Sequence, residues 1–160
     1  MIKVAIVDDN QINRITIKEK LAPYQDVLLV FEATNGEDFF DKLESLPKED
    51  YPQVVLMDLE MPILDGIVTI ASASIKFPEI KYIVLTIYED DDKIFEAIKA
   101  GASGYLLKED KAVNIVEAMK NVVQFDGIPM SPAIARRAMD MLRDTPKPTA
   151  SMQNAIIDHQ

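Results

Sequence analysis

The chain predicts an α/β fold, a doubly wound five-stranded parallel sheet flanked by five helices. Three observations predict it. Short apolar runs alternate five times with stretches of near-helical apolar spacing, the pattern of strand–helix crossovers that build a parallel sheet. Apart from Lys3 in the first, the runs carry no charged residue, as strands covered on both faces tend to. At 160 residues, 48% apolar, 28% charged and free of cysteine, the chain is large enough for one core without disulfides or a zinc–thiolate centre.

The elements follow in order. Residues 2–7 form the first run, followed by Asp8-Asp9-Asn10 and then Ile12, Ile15 and Leu21 at helical spacing, closed by Pro23. The second unit pairs residues 27–31 with Phe39, Phe40, Leu43 and Leu46. The third pairs 54–57 with Ile67, Ile70, Ala71, Ser74 and Ile75, and the fourth pairs 82–85 with Ile94, Ala97 and Ile98. The fifth strand, 104–107, precedes Val113, Val116, Met119, Val122 and Val123. Asp126-Gly127 ends that unit. Ser131-Pro132 then starts a sixth helix carrying Ile134, Ala138, Met141 and Leu142, expected to lie outside the main fold. Residues 144–160, with Pro146, Pro148, Thr149 and Ser151, read as a linker or tail. The domain reading is therefore 1–125 for the main domain and 126–160 for the linker helix and tail.

Net charge is −10, and residues 126–160 hold four basic and four acidic side chains, so the whole excess lies in residues 1–125. An acidic surface repels nucleic-acid phosphates, which argues against direct DNA or RNA binding and for a cation or a basic partner. No apolar run approaches the roughly 20 residues that cross a bilayer, and Met1-Ile2-Lys3-Val4 enters a strand pattern directly. The expectation is a cytoplasmic protein with no membrane contact.

In a doubly wound sheet, chemistry collects outside the carboxyl ends of the strands. Those ends carry Asp8 and Asp9, Asp58, Thr86 and Lys108. Carboxylates gathered at one edge repel each other unless a proton or a hard cation neutralises them, and an all-oxygen set suits Mg²⁺. With Lys108 and the Thr86 hydroxyl, the set is what a carboxylate nucleophile needs to accept a phosphoryl group.

Four motifs in order, Asp8-Asp9, Asp58-Leu-Glu-Met-Pro-Ile-Leu-Asp-Gly66, Leu85-Thr86 and Gly101-Ala-Ser-Gly-Tyr-Leu-Leu-Lys108, resemble the receiver domain of two-component response regulators over residues 1 to 125. The resemblance implies a flavodoxin-like sheet of strand order 2-1-3-4-5. It implies that Asp58 accepts phosphoryl from a sensor histidine kinase or a phosphotransfer protein. Mg²⁺ would sit on Asp8, Asp9, Asp58 and the main-chain carbonyl of Glu60, with Asp8 acting through water. Thr86 and Lys108 would engage the phosphoryl group, and Tyr105 would be the switch aromatic that follows Thr86. Met61-Pro62 and Gly66 would shape the loop after the third strand, while Glu60 and Tyr88 occupy the positions that influence phosphoryl lifetime. The signalling face would use Ile94, Phe95, Ile98, Tyr105 and Ala112, and a homodimer is an allowed outcome. The chain would catalyse only its own phosphorylation and dephosphorylation rather than act as a conventional enzyme.

Lys108-Glu109 departs from the Lys-Pro of many receivers, which leaves the isomer of that bond open. That pair, with Pro129-Met-Ser-Pro-Ala-Ile-Ala-Arg-Arg137, is similar to the NarL/FixJ subfamily, whose members carry a helix-turn-helix output domain after such a linker. The resemblance implies transcription regulation, with DNA bound only through an output domain beyond Gln160. A stand-alone receiver working through protein contacts is the alternative. A haloacid-dehalogenase-type phosphohydrolase fits worse, because Asp8-Asp9-Asn10 lacks Asp-x-Asp and no cap insertion is present. An FMN carrier would need a hydroxyl- and glycine-rich first loop.

Blander readings compete at each position. Asp8 and Asp9 could cap the first helix, Thr86 and Lys108 could be ordinary strand-end residues, and Tyr105 could be a packed tyrosine. Residues 89–92 suit a helix N-terminus. Arg136-Arg137 reads as a solvated face and His159 as a solvated tail residue.

Overall fold

The computed structural model describes residues 1–144. The expectations for residues 145–160, His159 included, lie outside the described residues. Five parallel strands, β1 (Ile2–Val7), β2 (Val27–Ala33), β3 (Val54–Met57), β4 (Lys81–Thr86) and β5 (Gly104–Leu107), form one sheet in the order β2-β1-β3-β4-β5. Between and after them come α1 (Gln11–Leu21), α2 (Gly36–Glu44), α3 (Gly66–Lys76), α4 (Asp91–Ala100), α5 (Ala112–Phe125) and α6 (Pro132–Asp144).

Strand alternation splits the core in two. Ile2, Val4, Ile6, Val54, Leu56, Ile83, Leu85 and Leu106 face α1 and α5, meeting Ile17, Leu21, Ile115, Met119 and Val122. Ala5, Val7, Val55, Met57, Tyr82, Val84, Tyr105 and Leu107 face α2, α3 and α4. Helices cover both faces, which is why the strands read as largely apolar runs, with Lys3, Glu32 and Lys81 as their charged residues.

The helical phases differ from expectation in places. Ile12, Ile15, Ile75, Ile98 and Val113 are exposed, while Ile17, Thr69, Ala73 and Ile115 are buried. On the third helix the buried side carries Gly66, Thr69, Ile70 and Ala73, which leaves Ile75 on the opposite face in solvent. Ile94, expected on the signalling face, is fully buried under the sheet. Phe95 and Ile98 remain exposed on α4.

The sixth helix does not lie outside the main fold. Ile134 is fully buried in the same core cluster as Ile94 and Tyr105, with Met130 and Met141 packed against it. Glycine and proline around residues 127–132 read as a linker, yet the segment docks as an edge continuation of the sheet. Tyr105 N–H donates to Pro129 O at 3.0 Å, and Ser131 N–H donates to Tyr105 O at 3.1 Å. A Cβ on Gly104 would stand 2.7 Å from Pro129 O, so only glycine lets this segment approach. Pro129 needs to offer only its carbonyl there, the role an edge position allows. Among the described residues, no helix is long and apolar enough to cross a membrane.

Candidate active site

Parallel register brings the functional side chains to one edge. Val7 stands beside Met57 and Thr86 beside Leu107, so the residues that follow β1, β3 and β5 emerge together. The ladder continues one step further: Asp58 N–H donates to Val7 O at 2.9 Å, and Lys108 N–H donates to Thr86 O at 2.9 Å. Asp8, Asp9 and Asp58 each offer a carboxylate oxygen, all within 4.8 Å of one another. Asp8 and Asp58 are buried and Asp9 is exposed at the mouth.

Lys108 reaches into this cluster. Its ammonium lies 2.7 Å from Asp8 Oδ2 and 3.4 Å from Asp58 Oδ1, with the side chain only 15% exposed. Asp58 Oδ1 also accepts from Leu59 N–H at 2.9 Å. Asp8 Oδ1 accepts from Asn10 N–H, but the buried Oδ2 has no aligned hydrogen-bond donor despite its closeness to Lys108. Burial, reinforced by the neighbouring Asp8 charge, pushes the Asp58 carboxyl up to about 6, against the opposing pull of Lys108.

The capping role falls to Asn10, whose side chain accepts from Asn13 N–H, so neither Asp8 nor Asp9 caps α1. Gly66 N–H donates to Leu59 O at 2.8 Å, and a Cβ there would stand 2.0 Å from Asp58 O. The start of α3 is thereby pressed against the backbone at the end of β3. Thr86 is fully buried, and its hydroxyl oxygen accepts from Tyr88 N–H at 3.3 Å. Tyr105 is buried, and its hydroxyl donates to Tyr88 O at 2.7 Å. Burial, then the acidic residues nearby, raises that hydroxyl's pKa. The Glu60 carboxylate turns across the rim instead of into the cluster, accepting from Tyr88 Oη at 2.9 Å and pairing with Lys93 at 3.0 Å. These bonds, Lys93's first, hold its pKa below the usual carboxylate range. The Lys108–Glu109 bond is trans, since no described peptide is cis.

Residues 4–120 match the family described as the response regulator receiver domain. The chain belongs to this family. Among its relatives, the transcriptional regulatory protein DegU of Brevibacillus brevis is 35% identical over 123 residues, which is 77% of this chain and 50% of DegU. The transcriptional regulatory protein LiaR of Bacillus subtilis (strain 168) is 37% identical over 120 residues, 75% of this chain and 55% of LiaR. The receiver chain thus spans about half the length of the curated relatives it matches. A LuxR-family two-component response regulator from Aurantimonas sp. SI85-9A1 superposes with TM-score 0.80 at 23% identity, covering 90% of this chain and 99% of that one. The isolated REC domain of RcsB from Salmonella enterica serovar Typhimurium, solved with the phosphomimetic BeF3⁻, gives 0.74 at 23% identity, with 85% and 97% covered. These two show the receiver fold.

Sequence reasoning missed several cations that frame the site. Arg14 donates to Asp8 O at 2.7 Å and, with Lys18, pairs with Glu32 at the end of β2. The spacing of Arg14 and Lys18, four apart on α1, was the available signal. Lys93 at the rim and Lys20 beside the Lys108 loop carry no comparable pattern.

Proposed function

We propose that Asp58 is the phosphoryl acceptor of this receiver, supplied by a sensor histidine kinase or a phosphotransfer protein. The observation that carries the reading is the Asp58 carboxylate buried within reach of two other carboxylates and the Lys108 ammonium. Asp8, Asp9 and Asp58, with the main-chain carbonyl of Glu60, would hold Mg²⁺. The hard oxygen donors and the unaligned buried Asp8 Oδ2 support that fit. When bound, the ion supplies positive charge for the phosphoryl oxygens.

The reaction needs no other cofactor. An Asp58 carboxylate oxygen forms a bond to phosphorus while the bond from phosphorus to the donor imidazole nitrogen breaks, and the electron pair leaves with that nitrogen. Lys108 balances charge on the transferred group. Hydrolysis later returns inorganic phosphate and the free carboxylate. The chain catalyses only these two steps on itself.

The Thr86 hydroxyl oxygen accepts from the Tyr88 amide, so phosphorylation offers the hydroxyl's own proton an anionic acceptor, and Tyr105, bonded to the Tyr88 carbonyl, is placed to follow. The face bearing Phe95 and Ile98 would then signal. Residues 1–125 would form the receiver, with 126–160 joining it to an output domain that binds DNA. The names of the DegU and LiaR relatives support a role in transcription regulation. A cytoplasmic setting and a phosphorylation-driven homodimer complete the reading.

Intact-mass spectrometry after acetyl phosphate and Mg²⁺ tests it. One phosphoryl group on the parent and none on Asp58→Asn is expected, and equal labelling of the variant would overturn the assignment.

A further inference from the structure

Lys108 reaches the acid cluster from the loop between β5 and α5, and Glu109 rather than proline follows it, so no ring constrains the turn. Side chains from outside the loop hold it instead. Lys20, in the last turn of α1, donates from Nζ to the carbonyl oxygens of Lys108 at 2.8 Å and Asp110 at 2.9 Å. An ammonium has three donors and no acceptor, and two of these donors converge here on a single turn of backbone.

A second grip comes from the other side. Asp110 Oδ2 accepts from the Ser131 hydroxyl and from Leu107 N–H at 3.3 Å, and the same N–H reaches Ser131 Oγ at 3.0 Å. Asp110 N–H closes the turn onto Leu107 O at 3.0 Å. Ser131 is buried, a position where a hydroxyl needs such partners.

We infer that Lys20 is a positioning residue for Lys108, with Ser131 as its counterpart across the loop. Together they fix the path of residues 108–110, so that the Lys108 ammonium stands between Asp8 and Asp58. Lys20 touches no reacting atom and acts only through the loop carbonyls. Because Ser131 immediately precedes α6, the same clamp ties the acid cluster to the sixth helix. The inference rests on the acceptor reading of Asp58.

The test uses the full chain and two ligands: beryllofluoride in saturating Mg²⁺, followed by ¹⁹F NMR, and Mg²⁺ alone. Lys20→Met is expected to weaken beryllofluoride binding about tenfold, the scale of lost charge-assisted hydrogen bonds. Mg²⁺ affinity should stay within about twofold, since the carboxylates are untouched. Amide exchange should quicken at residues 108–110 and not in the strands. Lys20→Arg, which keeps charge and donors, should restore binding. A lysine serving general stability would not separate the two affinities. Parent-like beryllofluoride binding by Lys20→Met, or equal loss of both affinities, overturns the inference.

Should Lys20→Met fail to fold, Ser131→Ala reads the other grip. It should weaken beryllofluoride binding about threefold, and an unchanged affinity there also overturns the clamp. Beryllofluoride binding by Asp58→Asn equal to the parent's would instead strike the acceptor reading, a result separable from either variant.

Discussion

The acid cluster and the seam where α6 meets α4 and β5 lie near one another and are built on opposite principles. The cluster gathers like charges: Asp8 and Asp58 are buried, and one lysine serves both. Its carboxylates cost stability, which the surrounding apolar sheet supplies. The seam is apolar at its centre, where Ile134 is fully buried with Ile94 and Tyr105, and its ion pair, Arg137 to Asp91 at 3.4 Å, is exposed. The difference teaches that like charges gather where a ligand would act, while ordinary apolar packing holds the added helix to the sheet.

The sharpest way to break this contrast is Lys108→Ala. Removing the cation that faces Asp58 should slow phosphorylation from acetyl phosphate by about 10²- to 10³-fold, the range for a lost electrostatic stabiliser, measured by intact-mass time courses. A change below tenfold would detach Lys108 from the chemistry.

Next in size is Ile134→Ala. A buried isoleucine cut back to alanine should cost about 3 kcal/mol in urea unfolding, with Mg²⁺ affinity unchanged. A cost under about 0.5 kcal/mol would return α6 to the status of a detached appendage.

The third concerns pH in Mg²⁺-free buffer. The folded Asp58 pKa, about 6, lies above its ordinary 3.8, so folding favours the protonated form between those values. The Asp58 contribution to stability therefore falls as pH rises from about 4 to about 6, and the full cost, on the order of 3 kcal/mol, is present above that. Asp58→Asn should gain stability over the parent across that window, as followed by thermal melts. A constant difference would show that no burial cost is stored there. Added Mg²⁺ should stabilise the parent more than the variant.

Smallest is Arg137→Ala. Both partners of that pair are about half exposed, so the change should be within about 0.5 kcal/mol. A larger loss would make the seam electrostatic rather than apolar.

Much of the fold was legible, because its signals are local. Strands covered on both faces are largely apolar, and β1, interrupted only by Lys3, β3 and β5 were readable as such runs. Helix phase was less legible in α1 and α3, where apolar residues also line the solvent side. There, the choice between Ile15 and Ile17 depends on which face the sheet covers. The seam was hidden by its own punctuation, since Gly127, Pro129 and Pro132 read the same in a free linker and in an edge-docked segment.

The order of residue types along the chain determined which side chains could share an edge: an acid pair after β1, an acid after β3, a hydroxyl on the last residue of β4 and an ammonium after β5. That followed from a parallel sheet, which places every strand's carboxyl end on the same side. Tertiary structure alone decided how close they come and who holds them. Distances such as Lys108 to Asp8, and the grip of Lys20 and Ser131 on the Lys108 loop, join residues up to 100 positions apart. No local pattern encodes them, because they depend on the packing of whole elements.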